Sequence, residues 1–450
     1  MNKKNSSVKI LLAIASLIIT FFVWQQGLRE SLNRPSVSFD ISQKEIEITE
    51  LAMPAVPENL KIFFPNSARE EIKIALEKIS FTELTERNKL IWLILQNPDK
   101  KVDPSYFDKF DKPIYMNISQ SLYKSYLNKS YKPSNEIIND LKNDKYLINL
   151  LSDKFNFNKD IIITKSLAKF MFFKLIIIRT IPLLSILFGS ILVLKSLWRL
   201  IKLKAINWGD YEPLNLNILD MILLVSGGFV VLGEVISPLI SITLVDLFSE
   251  SLSYEISQSL RIFFGYLFMA IPPLFIIYRQ IKFIDKQFSL EKDYFQFKIK
   301  PIKESIYQGF KGWIMIIPFV LLISLIMNLI VENQAGSNPL LEIVLNNNNY
   351  LAFILLFITT TFIAPLFEEI IFRGVLLPVL ARDYGKIIGI LISSFVFALA
   401  HLSLNEFPPL FVLGIGLAST RLISGRLFSS VVMHSFWNGL TFLNLFLLRT

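Results

Sequence analysis

The 450-residue sequence contains no cysteine. Without cysteine the chain cannot form disulfide bonds, a thiolate metal site or a cysteine nucleophile, so these three kinds of hypothesis are excluded. Histidine is nearly absent too, with two residues, and only 18% of residues are charged, against about 25% in soluble domains. The sequence also lacks HExxH, the helical signature of zinc proteases. These shortages argue against an ordinary soluble enzyme.

Apolar residues are abundant instead. They make up 52% of the chain, and the mean hydropathy is +0.49, which predicts an integral membrane protein. The net charge of +9 does not indicate nucleic acid, because residues 29–160 hold 20 basic and 20 acidic side chains. The excess of positive charge lies in short loops beside apolar runs. The expected surroundings are a lipid bilayer, with no nucleic-acid partner.

The N-terminus has the pattern of a signal anchor. Lys3, Lys4 and Lys9 precede the apolar run Ile10–Trp24, and no small-x-small cleavage site follows. The remaining chain divides by composition, with a polar part that includes a roughly helical pattern at Ala68–Phe81. The predicted domains are an anchor at 1–26, a small, mainly helical extramembrane domain at 27–170, additional transmembrane helices at 171–299 and a C-terminal core at 300–450.

Apolar runs of about the length that crosses a bilayer fill the second half of the chain. They predict spans near 175–194, 216–237, 262–278, 312–331, 351–381, 387–402, 408–423 and 428–448. With the anchor, nine spans are expected. The predicted fold class is therefore an all-α, polytopic membrane helical bundle.

Loop charges predict the orientation. The segment 195–204 carries only basic charges, and the segment 279–311 has eight basic against four acidic residues, whereas the alternating loops are acidic. Lys and Arg near span ends favour the cytoplasmic side. The N-terminus is therefore predicted to be cytoplasmic.

Three charges interrupt the apolar run 351–381, in the stretch FEEIIFRG. Charges at membrane depth are costly, so Glu368, Glu369 and Arg373 are candidates for a functional site. Glu369 and Arg373 are four residues apart, so a helix places them on one face where they can pair. Glu368 points about 100° away and is left available. Two other charges in apolar runs, Glu234 and Arg179, are interpreted as snorkelling or capping side chains without a functional role.

Both histidines lie in the last 50 residues, in FALAH and HSFWN. His434 and Asn438 share a helical face, whereas His401 closes the preceding apolar segment. One available carboxylate, two imidazoles and an amide are sufficient to deprotonate water, move its proton and hold an oxyanion. By simple counting, Glu368 and His401 reach different depths unless the segment 351–381 is bent or tilted.

The motifs Glu-Glu-x-x-x-Arg, Phe-x-x-x-His and His-x-x-x-Asn, in this order on successive apolar segments, resemble the CPBP family of intramembrane proteases. That family includes the type II CAAX prenyl endopeptidases and abortive-infection-like bacterial proteins, and the resemblance covers about residues 300–450. It implies a membrane endopeptidase that needs no cofactor and acts on membrane-associated or hydrophobic peptides. Whether these peptides are prenylated is left open. The implied catalytic set is Glu368, His401, His434 and Asn438, with Glu369 and Arg373 in support.

The resemblance also implies roles within this set. Glu368 and His401 would activate a water molecule, whereas His434 and Asn438 would stabilise the oxyanion. Two alternatives stay open: a glutamate and two histidines can bind zinc, and the same fold can serve a non-proteolytic scaffold or an immunity or regulatory factor. A transporter is less favoured, because the sequence shows no internal repeat.

Overall fold

The computed structural model describes residues 3–33, 37–64, 68–96, 102–128, 130–134, 141, 144–157, 164–203, 206–249, 252–285, 289, 292–330, 339–346 and 349–449. No β-strand occurs in these residues, and the all-α class is confirmed. The helices in chain order are α1 (Lys3–Ser31), α2 (Val37–Ala52), α3 (Ala68–Glu77), α4 (Glu86–Leu95), α5 (Pro113–Leu127), α6 (Lys145–Phe155), α7 (Lys165–Leu203), α8 (Ile218–Phe248), α9 (Tyr254–Ile284), α10 (Ile302–Ile330), α11 (Pro339–Asn346), α12 (Tyr350–Tyr384), α13 (Lys386–Leu399), α14 (Phe407–Ser424) and α15 (Leu427–Leu447).

Seven described helices are long and apolar enough to cross a membrane: α1, from Ser7 onward, α7, α8, α9, α10, α12 and α14. Their outer surfaces are apolar, as shown by Leu183, Leu194 and Trp198 on α7, which are each about two-thirds exposed. Such surfaces are stable in lipid and costly in water. The protein is therefore an integral membrane protein with several spans.

Two of the nine predicted spans are not among these seven helices. The span predicted at 387–402 is α13, which has 14 residues and extends only about 21 Å, less than the roughly 30 Å hydrocarbon core. The span predicted at 428–448 is α15, whose 21 residues are long enough. His434, Asn438 and Asn444 make this helix less apolar, because they place polar groups along it.

Three stretches of the long helices have wider, π-helical turns: Leu223–Ile236, Thr359–Ile363 and Ile370–Leu376. Each ends two residues before a proline, namely Pro238, Pro365 and Pro378. Proline has no N–H group, and its ring clashes with the carbonyl four residues earlier. A wider turn relieves this clash by shifting the hydrogen bonds to a carbonyl five residues back, as at such bulges generally. The prolines thus set the local geometry of α8 and α12.

The chain forms two compact units. One comprises Met1–Ser38 and Pro182–Phe446 and contains most of the apolar helices. Its buried core surrounds α12, where Ile371 and Val375 have no exposed surface and the Phe372 ring packs edge-on against Phe229 and Phe397. This packing holds the charged segment of α12 in the middle of the bundle.

The second unit comprises Phe39–Ile181 and Leu447–Thr450. It has its own core, in which Ile48, Leu51, Leu76 and Leu90 are fully buried. The side chain of Arg179 is 38% exposed, and its Nε donates to Glu45 Oε1 over 2.9 Å, an ion pair that the sequence did not predict.

A buried charge network joins three helices of this second unit. Arg87 donates from Nη1 to Glu47 Oε1 over 2.7 Å and from Nε to Asp144 Oδ2 over 2.5 Å, and Glu47 has no exposed side-chain surface. Burial raises the pKa of Glu47, but the charges of Arg87 and Lys44 outweigh it and hold that pKa below its usual value. The pKa of Asp144 is lowered in the same way, against burial, by Arg87. The network therefore favours ionised carboxylates.

Replacement of Arg87 by methionine is expected to destabilise this unit by about 3–5 kcal/mol at neutral pH, because a buried carboxylate loses its partner. Both carboxyl pKa values are lowered by folding, so the network stabilises fully above about pH 4.5 and loses its effect as pH falls through the folded-state values. The penalty of Arg87→Met should therefore shrink in acid. Amide hydrogen exchange of α2, α4 and α6 in the full-length protein, at neutral and acidic pH, measures this loss of stability.

Lys78→Met, at an exposed position of the same unit, is the matched control and should leave exchange unchanged. Equal protection in wild type and Arg87→Met at neutral pH would show that the network does not stabilise the unit.

Candidate active site

One cavity collects the four residues that the sequence singled out. Glu368 on α12, His401 after α13, and His434 and Asn438 on α15 all line a cavity of about 380 Å³. The residues are up to 70 positions apart in sequence, so the bundle brings them together. The volume of this cavity is within the range of pockets that bind small molecules or peptide side chains.

Glu369 and Arg373 form a fully buried ion pair across one turn of α12. Arg373 Nη1 donates to Glu369 Oε1 over 2.8 Å, and neither side chain has exposed surface. The guanidinium also lies over the Phe397 ring, 4.1 Å from its centroid, and Nη2 approaches the carbonyl oxygen of Gly414. Through these contacts Arg373 links α12 to α13 and α14, and it binds one oxygen, Oε1, of the second carboxylate in the Glu-Glu sequence.

His434 lies between the two adjacent carboxylates. Its Nδ1 is 3.0 Å from Glu369 Oε1, and its Nε2 is 3.9 Å from Glu368 Oε2. Because the carboxylate of Glu369 accepts, Nδ1 is the donor, and this bond orients the ring with Nε2 toward Glu368. The 3.9 Å separation is too long for a direct hydrogen bond. The two side chains are therefore close without a direct hydrogen bond, and both line the cavity.

His401 differs from its predicted position. The sequence placed it within a span at 387–402, but α13 ends at Leu399 and His401 lies in the turn that follows. Its Nδ1 is 2.8 Å from the carbonyl oxygen of Phe397, so the imidazole caps the last turn of the helix. This bond makes Nδ1 the donor and leaves Nε2 available. The short helix and its turn also explain why His401 and Glu368 reach the same cavity.

Asn438 contacts a carbonyl that the wider turn of α12 releases. The N–H of Ala364 donates to Thr359 rather than to Thr360, and Pro365 has no N–H to offer. The oxygen of Thr360 is therefore available, and Asn438 Nδ2 donates to it over 2.9 Å. The amide thus satisfies this carbonyl and is held at the wall of the cavity that Glu368 also lines, with a second N–H remaining.

A second cavity, of about 390 Å³, shares Glu368 and His401 with the first. Glu234 on α8 lines this second cavity, although the sequence pattern indicated no functional role for that residue. Its Oε2 is buried and has no hydrogen-bond partner among the described residues. The sequence signal was present, because Glu234 is a carboxylate inside an apolar run. The sequence does not show that α8 packs beside α12, where Phe229 contacts Phe367 and Phe372.

The alternative that the site binds zinc requires three or more side chains placed as metal ligands, since a glutamate and two histidines can coordinate this ion. Within the residues described above, no three His, Asp or Glu side chains are arranged to hold a metal ion.

Family models match two regions of the chain. Residues 350–440 match the family described as Type II CAAX prenyl endopeptidase Rce1-like, which confirms the resemblance to the CPBP proteases. The matched region contains all the candidate site residues, from Glu368 to Asn438. Residues 38–173 match a domain of unknown function, DUF8675. No curated protein and no solved structure matches the chain.

Proposed function

We propose that this protein is an intramembrane endopeptidase in which Glu368 activates a water molecule to hydrolyse peptide bonds. The observation that carries the proposal is the shared cavity of Glu368, His401, His434 and Asn438 in an Rce1-like domain. A membrane protein has no packing reason to bury a carboxylate beside a second one that is already paired with arginine. The polar groups around it are those of a hydrolytic site.

The proposed reaction begins with proton transfer from water to Glu368. The oxygen of this water attacks the peptide carbonyl carbon, and the C–N bond then breaks as the proton passes to the leaving nitrogen. Glu368 starts and ends the cycle as a carboxylate. No covalent enzyme intermediate is needed.

The other groups assist this transfer. His401 offers Nε2 at the cavity wall, because its Nδ1 is bonded to Phe397. His434 directs Nε2 toward Glu368, and Asn438 offers its second amide hydrogen. With Nδ1 protonated, Nε2 of His401 is an acceptor that can bind a proton of the water. The second amide hydrogen of Asn438, and Nε2–H of His434 when both its nitrogens are protonated, stabilise the developing oxyanion because their orientation is fixed before the reaction. The family resemblance implies the same division: His401 acts with Glu368 on the water, and His434 and Asn438 act on the oxyanion.

Substrates of the proposed enzyme are peptides or proteins at the membrane, since the site is built from membrane helices. We further propose that the N-terminus is cytoplasmic, that region 27–170 is extramembrane and that the chain uses no cofactor. The alternative is a non-proteolytic scaffold or regulatory factor. It is favoured by the bonds of His401 and Asn438 to backbone carbonyls, which a purely structural site would also contain.

Peptide profiling tests the two functions. Membranes from cells that express wild type and Glu368→Gln at equal levels would be compared by mass spectrometry for peptides with new ends. Hydrolysis predicts a set of cleaved membrane peptides in wild type that is absent from Glu368→Gln and present in the control Glu304→Gln, which changes an exposed carboxylate. Identical peptide sets in all three strains would support the scaffold.

A further inference from the structure

The second cavity carries a carboxylate that the proposed reaction does not use. Glu234 lines this cavity next to Glu368 and His401, and its buried Oε2 has no partner in the described part of the chain. The Trp24 side chain interacts with Glu234, but the described lining of this cavity contains no basic side chain. A cation placed beside a buried carboxylate removes most of the cost of burying it. From this arrangement we propose that the cavity is a specificity subsite for a lysine or arginine side chain of the substrate, with Glu234 as its charge partner.

The charge balance of the two cavities supports a cationic occupant. Their described linings include the carboxyl groups of Glu234 and Glu368, and neither includes a lysine or arginine. The nearby Arg373 is already bonded to Glu369. The walls therefore carry carboxyl groups without basic side chains, which favours a substrate group of positive charge.

The shape of the cavity suits a long side chain with an apolar stem. Phe229, Ile262 and Met269 form an apolar wall, whereas Glu234 supplies an acidic group at one place. Lysine and arginine bury their methylene groups against such walls and direct the charged end to a polar partner. The volume of about 390 Å³ is ample for one such side chain.

The position of the subsite relative to the reacting groups follows from the shared walls. Glu368, His401, Tyr266 and Leu340 line both cavities. A side chain in the second cavity is thus adjacent to the group that activates water. The basic residue of the substrate is accordingly expected next to the peptide bond that is cut.

This inference rests on the proposed function, and peptide pairs test both. Purified full-length protein in lipid vesicles would be given peptides identified as cleaved, each with lysine or uncharged norleucine at the positions flanking the cut. The kcat/KM of wild type is expected to be about 30-fold or more higher for the lysine peptide than for the norleucine peptide. Norleucine leaves Glu234 without its charge partner, and the loss of one partner of a buried charge pair weakens binding by at least this factor. Glu234→Gln should bring this ratio close to one, whereas Glu304→Gln should leave it unchanged.

Each result decides a different claim. Equal cleavage of both peptides by wild type overturns the subsite and leaves the protease standing, and this comparison needs no variant. A Glu234→Gln protein that loses activity equally on both peptides shows a structural or chemical role rather than selectivity, which also overturns the inference. Absence of cleavage of any membrane peptide by wild type removes the proposed function and the inference with it.

Discussion

Replacement of Glu368 by glutamine is expected to lower kcat/KM for peptide cleavage by about 10²- to 10⁴-fold, the contribution typical of a general base. Glutamine has almost the same shape as glutamate but cannot accept the proton of water at this position. The neighbouring ion pair of Glu369 and Arg373 does not involve Glu368, so the fold should be kept. Steady-state kinetics in lipid vesicles, with the amount of folded protein measured in parallel, provides the test.

The same kinetics show whether Glu368 and His434 act together in one proton transfer or contribute to the rate independently. Groups that act in one proton transfer are strongly non-additive. The variant that combines Glu368→Gln with His434→Gln should therefore be scarcely slower than Glu368→Gln alone. Full activity of Glu368→Gln at normal protein levels would rule out the proposed base and favour the scaffold.

Replacement of Arg373 by methionine is expected to destabilise the bundle by about 3–5 kcal/mol, because it leaves the carboxylate of Glu369 buried without its main partner. Both side chains of this pair have no exposed surface, so solvent cannot compensate for the loss. His434 Nδ1, 3.0 Å from Glu369 Oε1, would remain as a weaker partner. Thermal unfolding of the detergent-solubilised protein would show a clearly lower midpoint.

Two further variants test the reason for this loss. Arg199→Met removes an exposed arginine from α7 and should change the midpoint little. The double variant Glu369→Leu with Arg373→Met removes both charges, so it should recover much of the stability lost in Arg373→Met. A midpoint for Arg373→Met equal to that of wild type would show that the pair does not stabilise the bundle.

His401 and Asn438 illustrate how the structure revises a reading based on motifs. The resemblance assigned them chemical roles only, yet each also satisfies a backbone carbonyl, of Phe397 and Thr360 respectively. A substitution at either residue therefore changes packing as well as chemistry. Glu368 has no such backbone bond among the described residues, and for this reason its glutamine variant is the most direct test of hydrolysis.

The amino-acid sequence alone determined the membrane class and the residue types of the site. Apolar composition and the length of the runs predict spanning helices because lipid requires internally bonded backbone and apolar surfaces. The i,i+4 spacing of Glu369 and Arg373 predicts a pair because it depends only on helix geometry. Long-range placement is not encoded by such local rules.

Only the tertiary structure decided which groups meet. The end of α13 at Leu399 places His401 in a turn, and the wider turns before Pro365 and Pro378 shape the segment that carries Glu368. The approach of α8 then places Glu234 beside the same cavity. These contacts depend on how separate helices pack, and packing is set by the summed shapes of many side chains rather than by the spacing of any motif.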